Sequence, residues 1–459
     1  MASAGVPVNA ILIRGATAIM TGMIEPSRAT GPDIRIRGSK ITAIGKLGAE
    51  PGERVIDATG CIVYPGWINT HHHLMQTLLR GVPDGLNAPL RKWLDAVPFA
   101  FRMRFDEEML ETAALLGLAE LMLSGCTTVA DFHHLYYPGI AFDSSAVIFR
   151  AAEQLGIRLV LCRAFASRAR ANASPMTMPP EPLSSVFTAI ERDAARWHDA
   201  APNARRRVVA APSNITLAVE AGELQQIAGQ MRRLGLRLHS HLAENDDDVI
   251  YCRDVHGLGA LPYASKHGWV GPDVWFAHMV KVDAEDIRIL AETGTGIAHC
   301  PGSNARLGNG IAQIAEMQAA GVPIGLGQDG GAASDSGDML AESHFAWYVH
   351  RARSGAQALT IEEVLHWGTQ SGARILGLAE VGIVGTGFEA DLAVYRLDDL
   401  RFAAFHDIAV APIATGIRPY MKCLISGGRV VVEEDAICGI GIEELRRRTH
   451  RAMQRLLNG

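Results

Sequence analysis

The chain lacks what a nucleic-acid binder, a disulfide scaffold or a membrane-spanning protein needs. Basic residues give no surplus. The 43 Lys and Arg stand against 49 Asp and Glu, a formal charge of −6, which is the wrong sign for a phosphate track. The clusters Arg205-Arg206-Arg207 and Arg446-Arg447-Arg448 are isolated and read as solvated helix ends or faces. Seven cysteines are scattered with no paired spacing. That pattern suits a reducing cytosol better than a disulfide framework. No apolar run approaches the ~18 residues that cross a bilayer. Met1 to Pro7 lacks the basic and apolar regions of a signal peptide. A cytoplasmic protein with no membrane and no nucleic-acid partner is expected.

What is present is length and apolar content. The chain has 459 residues, 48% of them apolar, well beyond the ~250–300 at which single cores usually stop growing. The expectation is two domains, or one large barrel with an appended domain. Residues 8–60 alternate short apolar runs with turns. Asp33 to Arg37 and Ile41 to Ile44 flank Gly38-Ser39-Lys40 in a hairpin pattern. The segment is too short to hold a core alone. Its partner is expected at the other end, where Ala390 to Tyr395 reads as a strand and Cys423 to Val432 as a hairpin turning at Gly427-Gly428. Glu443 to Leu457 reads as a closing helix. The expected division is 1–60 and 383–459 as the two parts of a small β-sandwich, with 61–382 inserted between them.

The insertion has a different rhythm. Strand-like runs at 61–68, 126–132, 158–164, 207–213, 236–241, 273–278, 295–300 and 322–328 alternate with helical stretches, the pattern of βα units. Met109 to Leu123 carries one apolar stripe at helical spacing, preceded by Asp106, Glu107 and Glu108, which suit a helix N-terminus. Eight strands in about 320 residues fit an α/β fold, a distorted (β/α)8 TIM barrel, in which chemistry gathers at the strand C-terminal ends.

Polar residues fall at those ends. Cys61 to Ile68 leads into Asn69-Thr70-His71-His72-His73. Side chains alternate along a strand, so His71 and His73 share one face and His72 points away. Two imidazoles on one face can hold a metal ion. His239 and His241 share a face of another strand, with Glu244 following. His278, His299 and Asp329 close three more. A lone histidine is more often a satisfied structural residue than a ligand. Five strand ends in order, each closing on His or Asp, are harder to set aside.

These stretches resemble the amidohydrolase superfamily, in its branch of mononuclear deaminases and chlorohydrolases. The motifs are Pro65 to His73, His239-Ser240-His241-Leu242-Ala243-Glu244, His299-Cys300-Pro301-Gly302-Ser303-Asn304, and Asp329, and the resemblance covers essentially the whole chain. It implies that His71, His73, His241 and Asp329 bind the metal and that Glu244 and His278, with Asp329, are catalytic. Two-metal relatives bridge their ions with a carboxylated lysine on strand four. Only six lysines occur here, none near 207–213, so one divalent ion is expected, Zn2+ ahead of Fe2+. Such an ion lowers the pKa of its water from ~15.7 towards ~7, and the carboxylates relay protons to the ring and the departing ammonia.

The substrate reading is hydrolytic deamination of a 2-amino-4-oxo fused heterocycle of the isoxanthopterin or 8-oxoguanine type. Cytosine or guanine deamination and triazine hydrolysis on the same frame are the alternatives, followed by a metal-free scaffold. Gln76, three residues after His73, is a candidate to read a ring edge, Trp93 to stack on the ring, and Arg163 to meet a carbonyl. Ala164 to Pro182 is expected to shape the pocket. A small heterocyclic substrate and a homo-oligomeric state complete the expectation.

Overall fold

The computed structural model describes residues 10–169 and 179–458. The expected pocket segment 164–182 therefore lies partly outside the described residues, as does the extreme N-terminus.

Nine strand segments form one parallel sheet. Its order runs Ile324–Leu326, Gly296–His299, Val274–His278, Leu238–Leu242, Arg206–Pro212, Arg158–Phe165, Cys126–His133, Trp67–His73 and Asp329–Gly330. The first and last members are neighbours in sequence, so they are two halves of one eighth strand. Gly327 N donates to His299 O at 2.8 Å, and Gln328 N donates to His71 O at 3.1 Å. Strand eight thus bonds strand seven on one side and strand one on the other, which closes the barrel.

Alternation sorts the side chains. Ala130, Val160, Cys162, Val209, Ala277 and Ala298 share an interior cluster floored by residues of 373–381. Val129, Leu159, Leu161, Val208 and Ala210 face outwards into the helix layer. An interior filled by side chains is what this barrel requires. The helix Glu107–Leu123 is capped by Asp106, whose side chain accepts from Met109 N at 2.8 Å.

The chain ends build two further sheets. One orders Lys40–Gly45, Asp33–Arg37, Ala10–Arg14 and Arg54–Asp57. The other orders Ala436–Ile437, Arg429–Glu433, Tyr420–Ser426, Leu392–Arg396, Cys61–Pro65 and Ala18–Ile19. Ile11, Ile13, Ile34 and Ile36 of the first pack on Val63, Leu392, Val394 and Ile425 of the second. The Gly427-Gly428 turn has φ of 55° and 73°, left-handed values that glycine tolerates. The closing helix Ile442–Asn458 buries Leu445 and Leu456 and packs on Glu107–Leu123.

One sequence reading is corrected here. The run 61–68 is two strands, not one. Cys61–Pro65 pairs with Leu392–Arg396 in the sandwich, whereas Trp67–His73 is barrel strand one and extends through all three histidines. Gly66 makes the transfer between sheets, because a Cβ there would collide with the Thr127 side chain. An apolar run buried on both faces carries no signal of such a change of partner.

Barrel and sandwich are joined by a buried ion pair. Arg158, fully buried at the start of strand three, bonds Asp391, Thr128 Oγ1 at 3.0 Å and the Ala204 carbonyl at 2.9 Å. Asp391 also accepts from Gly427 N at 2.6 Å. Removing one member of a buried pair leaves the other desolvated, which costs about 3–5 kcal/mol. Arg158→Met is expected to lower unfolding stability by that amount in urea titration; a loss below about 1 kcal/mol would mean that the pair contributes no more than a surface bridge.

Candidate metal centre and active-site cavity

His71 and His73 share the inward face of strand one. His241 enters from strand five and Asp329 from strand eight. The nitrogens and oxygens of His71, His73 and Asp329 lie within 4.8 Å of one another, as do those of His71, His241 and His278 and of His73, His134 and His241. His72 belongs to none of these groups, as alternation requires.

Hydrogen bonds fix which ring nitrogen faces the centre. A backbone carbonyl can only accept, so the nitrogen beside it carries the proton. His73 Nδ1 donates to Phe132 O at 2.6 Å and His241 Nδ1 donates to Ser213 O at 2.8 Å. His239 Nδ1 donates to Trp275 O at 2.8 Å, so its Nε2 accepts from His71 Nδ1 at 2.9 Å. All three ligand candidates therefore aim Nε2 inwards; burial opposes a charge on His73, but its bond to Asp329 wins and holds that ring above the usual histidine range.

Those nitrogens crowd together. His241 Nε2 is 3.4 Å from His73 Nε2, and His71 Nε2 is buried with no hydrogen-bond partner among the described residues. Asp329 Oδ1 lies 3.1 Å from His73 Nε2 and 3.7 Å from His71 Nε2. Burial, then neighbouring imidazoles, hold His71 and His241 well below the usual histidine range, so both are neutral. Burial opposes the charge on Asp329, but its bond to His73 and the charge there win and keep the carboxyl ionised. Three imidazole nitrogens and one carboxylate converging in a buried site fit a divalent cation. Strand four, Arg206–Pro212, contains no lysine, so no bridging ligand for a second ion arises there.

The candidate acid–base pair, Glu244 and His278, stands beside this centre. His278 Nδ1 bonds Asn304 Oδ1 at 2.9 Å, and its Nε2 lies 3.8 Å from Glu244 Oε2. Asn309 Nδ2 donates to Glu244 Oε1 at 3.0 Å. Ser303 Oγ donates to Asp329 Oδ2 at 2.5 Å. His278 and Asp329 adopt left-handed φ of 74° and 64°. Such conformations cost roughly 1–3 kcal/mol and concentrate at functional sites. Here they turn each side chain over the barrel mouth as its strand ends.

A cavity of about 170 Å³ opens onto these groups. Gln76 and Trp93, both buried, line it. Gln76 Oε1 is seated over Gly330, where any Cβ would overlap it. Arg163 is placed elsewhere. It does not line the cavity; both forks of its guanidinium bond Glu181, at 2.9 and 2.7 Å, and it stacks 4.2 Å over Tyr136. Sequence reasoning left without a role His239, His134, Arg102 and the pair Ser303 and Asn304. His239 had a signal, since it shares a strand face with His241, and Ser303 and Asn304 had one as the end of the motif that begins at His299.

A closed eight-stranded barrel with an imidazole–carboxylate centre and an acid–base pair at its mouth is a metal-dependent hydrolase. Residues 62–431 match the amidohydrolase family, and the chain belongs to it. It is 49% identical to an isoxanthopterin deaminase of an unknown prokaryotic organism, over 97% of both chains. An 8-oxoguanine deaminase of Pseudomonas aeruginosa is 37% identical, over 92% of this chain and 93% of its own. Among solved structures, an amidohydrolase from a Sargasso Sea environmental sample superimposes with a TM-score of 0.86 at 46% identity, covering 98% and 99%. Atrazine chlorohydrolase of Arthrobacter aurescens, complexed with zinc, gives 0.91 at 29%, covering 96% and 100%.

His239 holds a ligand candidate, His71, and belongs to none of the groups at the centre. Removing such a support typically costs about 10–100-fold in metal affinity. His239→Ala is expected to weaken zinc binding by that factor in chelator competition; wild-type affinity would mean that packing alone orients His71.

Proposed function

We propose that the protein is a hydrolytic deaminase that replaces a ring amino group by oxo on a 2-amino-4-oxo fused heterocycle, isoxanthopterin or 8-oxoguanine, with release of ammonia. The observation that carries the reading is the complete site. The four ligand candidates, Glu244 and His278 meet at one cavity that also holds Gln76 and Trp93. Similarity over nearly the full length to deaminases of those two rings supports the substrate class.

When bound, a divalent ion, zinc by analogy with the relatives, supplies Lewis acidity that makes water nucleophilic near neutral pH. The chain does the rest. Water adds to the ring carbon that bears the amino group. Asp329 accepts a proton from the water through the oxygen that faces His73. Glu244, held by Asn309, delivers a proton to the adjacent ring nitrogen. His278, its Nδ1–H fixed on Asn304, offers Nε2 to the attacking water and keeps it in line. The carbon–nitrogen bond then breaks and the amino group leaves as ammonia with a relayed proton, so water and substrate are balanced by oxo product and ammonia. Gln76 reads a ring edge with its amide, and Trp93 stacks on a ring face. Ring edges and faces are what a triazine also offers, so product analysis must separate ammonia from chloride.

Glu244→Gln keeps the geometry but cannot relay a proton. It is expected to retain metal and lose about 10²-fold or more in kcat; near-normal turnover with metal bound would move the proton to another group. His241→Ala is expected to lose metal and activity together, read by elemental analysis, and a fully metallated variant would remove His241 from the ligand set. The substrate class is checked by kcat/KM on isoxanthopterin, 8-oxoguanine, guanine, cytosine and a chlorotriazine. The highest value for cytosine or the chlorotriazine would overturn it.

A further inference from the structure

Every imidazole around the metal centre but one has a nitrogen committed to the protein. His73, His241 and His278 are held on Phe132 O, Ser213 O and Asn304 Oδ1, and His71 is held on His239. His134 is the exception. It directly follows strand two, is half-buried, and lines the cavity. Its ring centre lies 5.0 Å from that of Phe132, and the ring makes no hydrogen bond among the described residues. One of its nitrogens is within 4.8 Å of those of His73 and His241. The ring is nearly parallel to His241, 6.0 Å away at 18°. The eight strands follow one another round the barrel in chain order, so strands two and six stand opposite. His134 therefore faces His278, and the Glu244 beside it, across the centre.

We propose that His134 is a substrate-contacting residue that accepts an N–H of the departing amino group and so aligns that group for release. The proposal rests on the deaminase reading above and deepens it. Once water has added, the reacting carbon is tetrahedral. Its amino nitrogen is then pyramidal, with two N–H bonds and one lone pair. That nitrogen leaves as ammonia only when the lone pair takes the relayed proton, so the lone pair must point at the carboxylates. Glu244 follows strand five and Asp329 belongs to strand eight, away from strand two. An acceptor on the strand-two side takes one N–H and turns the lone pair towards them. An imidazole has a nitrogen able to accept. No proton passes to or from His134. The adduct's hydroxyl gives up the proton that is relayed to the amino nitrogen, the carbon–oxygen double bond forms, and the carbon–nitrogen electron pair departs on ammonia. A leaving group without N–H, such as chloride, gains nothing from this contact. His134 thus favours deamination over dechlorination on the same frame.

The test pairs isoxanthopterin and 8-oxoguanine each with the same ring carrying chlorine in place of the amino group. Both members of a pair yield one oxo product. Wild type, His134→Phe and His134→Gln are compared by kcat and KM, with melting temperature and zinc content measured on each. Where a chloro ring is not turned over, its inhibition constant against the amino ring takes the place of its kinetics. His134→Phe keeps a flat ring without nitrogens. It is expected to lose about 10²-fold in kcat on the amino rings, with KM and every chloro-ring constant moved no more than about threefold. His134→Gln, whose amide oxygen can accept an N–H, is expected to recover part of the loss. If the Phe variant does not fold, His134→Ala is judged by the same outcomes. An equal loss on amino and chloro rings, or wild-type kcat on the amino rings, overturns the assignment. Loss of zinc also overturns it, because His134 would then be a ligand beside His73 and His241. In each case the deaminase reading stands. Release of ammonia by wild type from neither amino ring overturns both.

Discussion

Everything in this site depends on three imidazoles being held with the same nitrogen pointing inwards. Burial keeps His71 and His241 neutral, whereas at His73 the bond to Asp329 outweighs burial and raises the ring, so nitrogens only 3.4 Å apart are packed against one carboxylate. The arrangement persists because the opposite nitrogen of each ring is committed. His73 and His241 each give a proton to a backbone carbonyl, and His71 gives one to His239, which is itself locked on Trp275 O. Carbonyls of barrel strands cannot move without breaking the ladder. The barrel's own hydrogen bonding therefore decides the tautomers, and the tautomers decide that a cation belongs at the centre.

The same logic explains where the strain sits. A straight parallel strand would carry Asp329 past the mouth. Strand eight instead breaks at Gly327-Gln328, bonds strand seven before the break and strand one at and after it, and resumes at Asp329 with a left-handed φ. His278 turns in the same way at the end of strand six. Both conformations cost free energy that a side chain on a regular strand would not. Closure of the barrel and placement of the carboxylate are thus one structural event, and Gly330, pressed against Gln76, leaves no room to do it otherwise.

This division shows why the sequence was legible in one part and silent in another. Period-two alternation separates His71 and His73 from His72, and the structure keeps that separation. The order of strands, the Asp106 cap and the Gly427-Gly428 hairpin follow from local chemistry alone. The transfer of the chain between sheets at Gly66 is invisible, because both flanking strands are buried on both faces and share one apolar composition. The pairing of Arg163 was hidden for a related reason. A charged residue near a strand end reads as site-directed until its partner is known, and Glu181 lies eighteen residues away in a stretch with no regular pattern.

The cavity wall makes the contrast sharper. The ligands and the acid–base pair stand on strands and at their immediate ends, where residue spacing converts directly into direction in space. One wall of the cavity comes from residues 74–105, which fold as a string of short turns and irregular helical pieces, Leu74–Leu79, Pro83–Gly85, Leu90–Leu94, Asp95–Phe99 and Arg102–Arg104. No single period governs such a segment, so composition alone cannot say that Arg102 ends buried beside Phe99 while Arg91 and Arg104 do not share its place in the cavity wall. Chemistry in this fold is set by the sheet and selectivity by the packing of turns. A relative can keep every ligand and change its ring by altering only that wall.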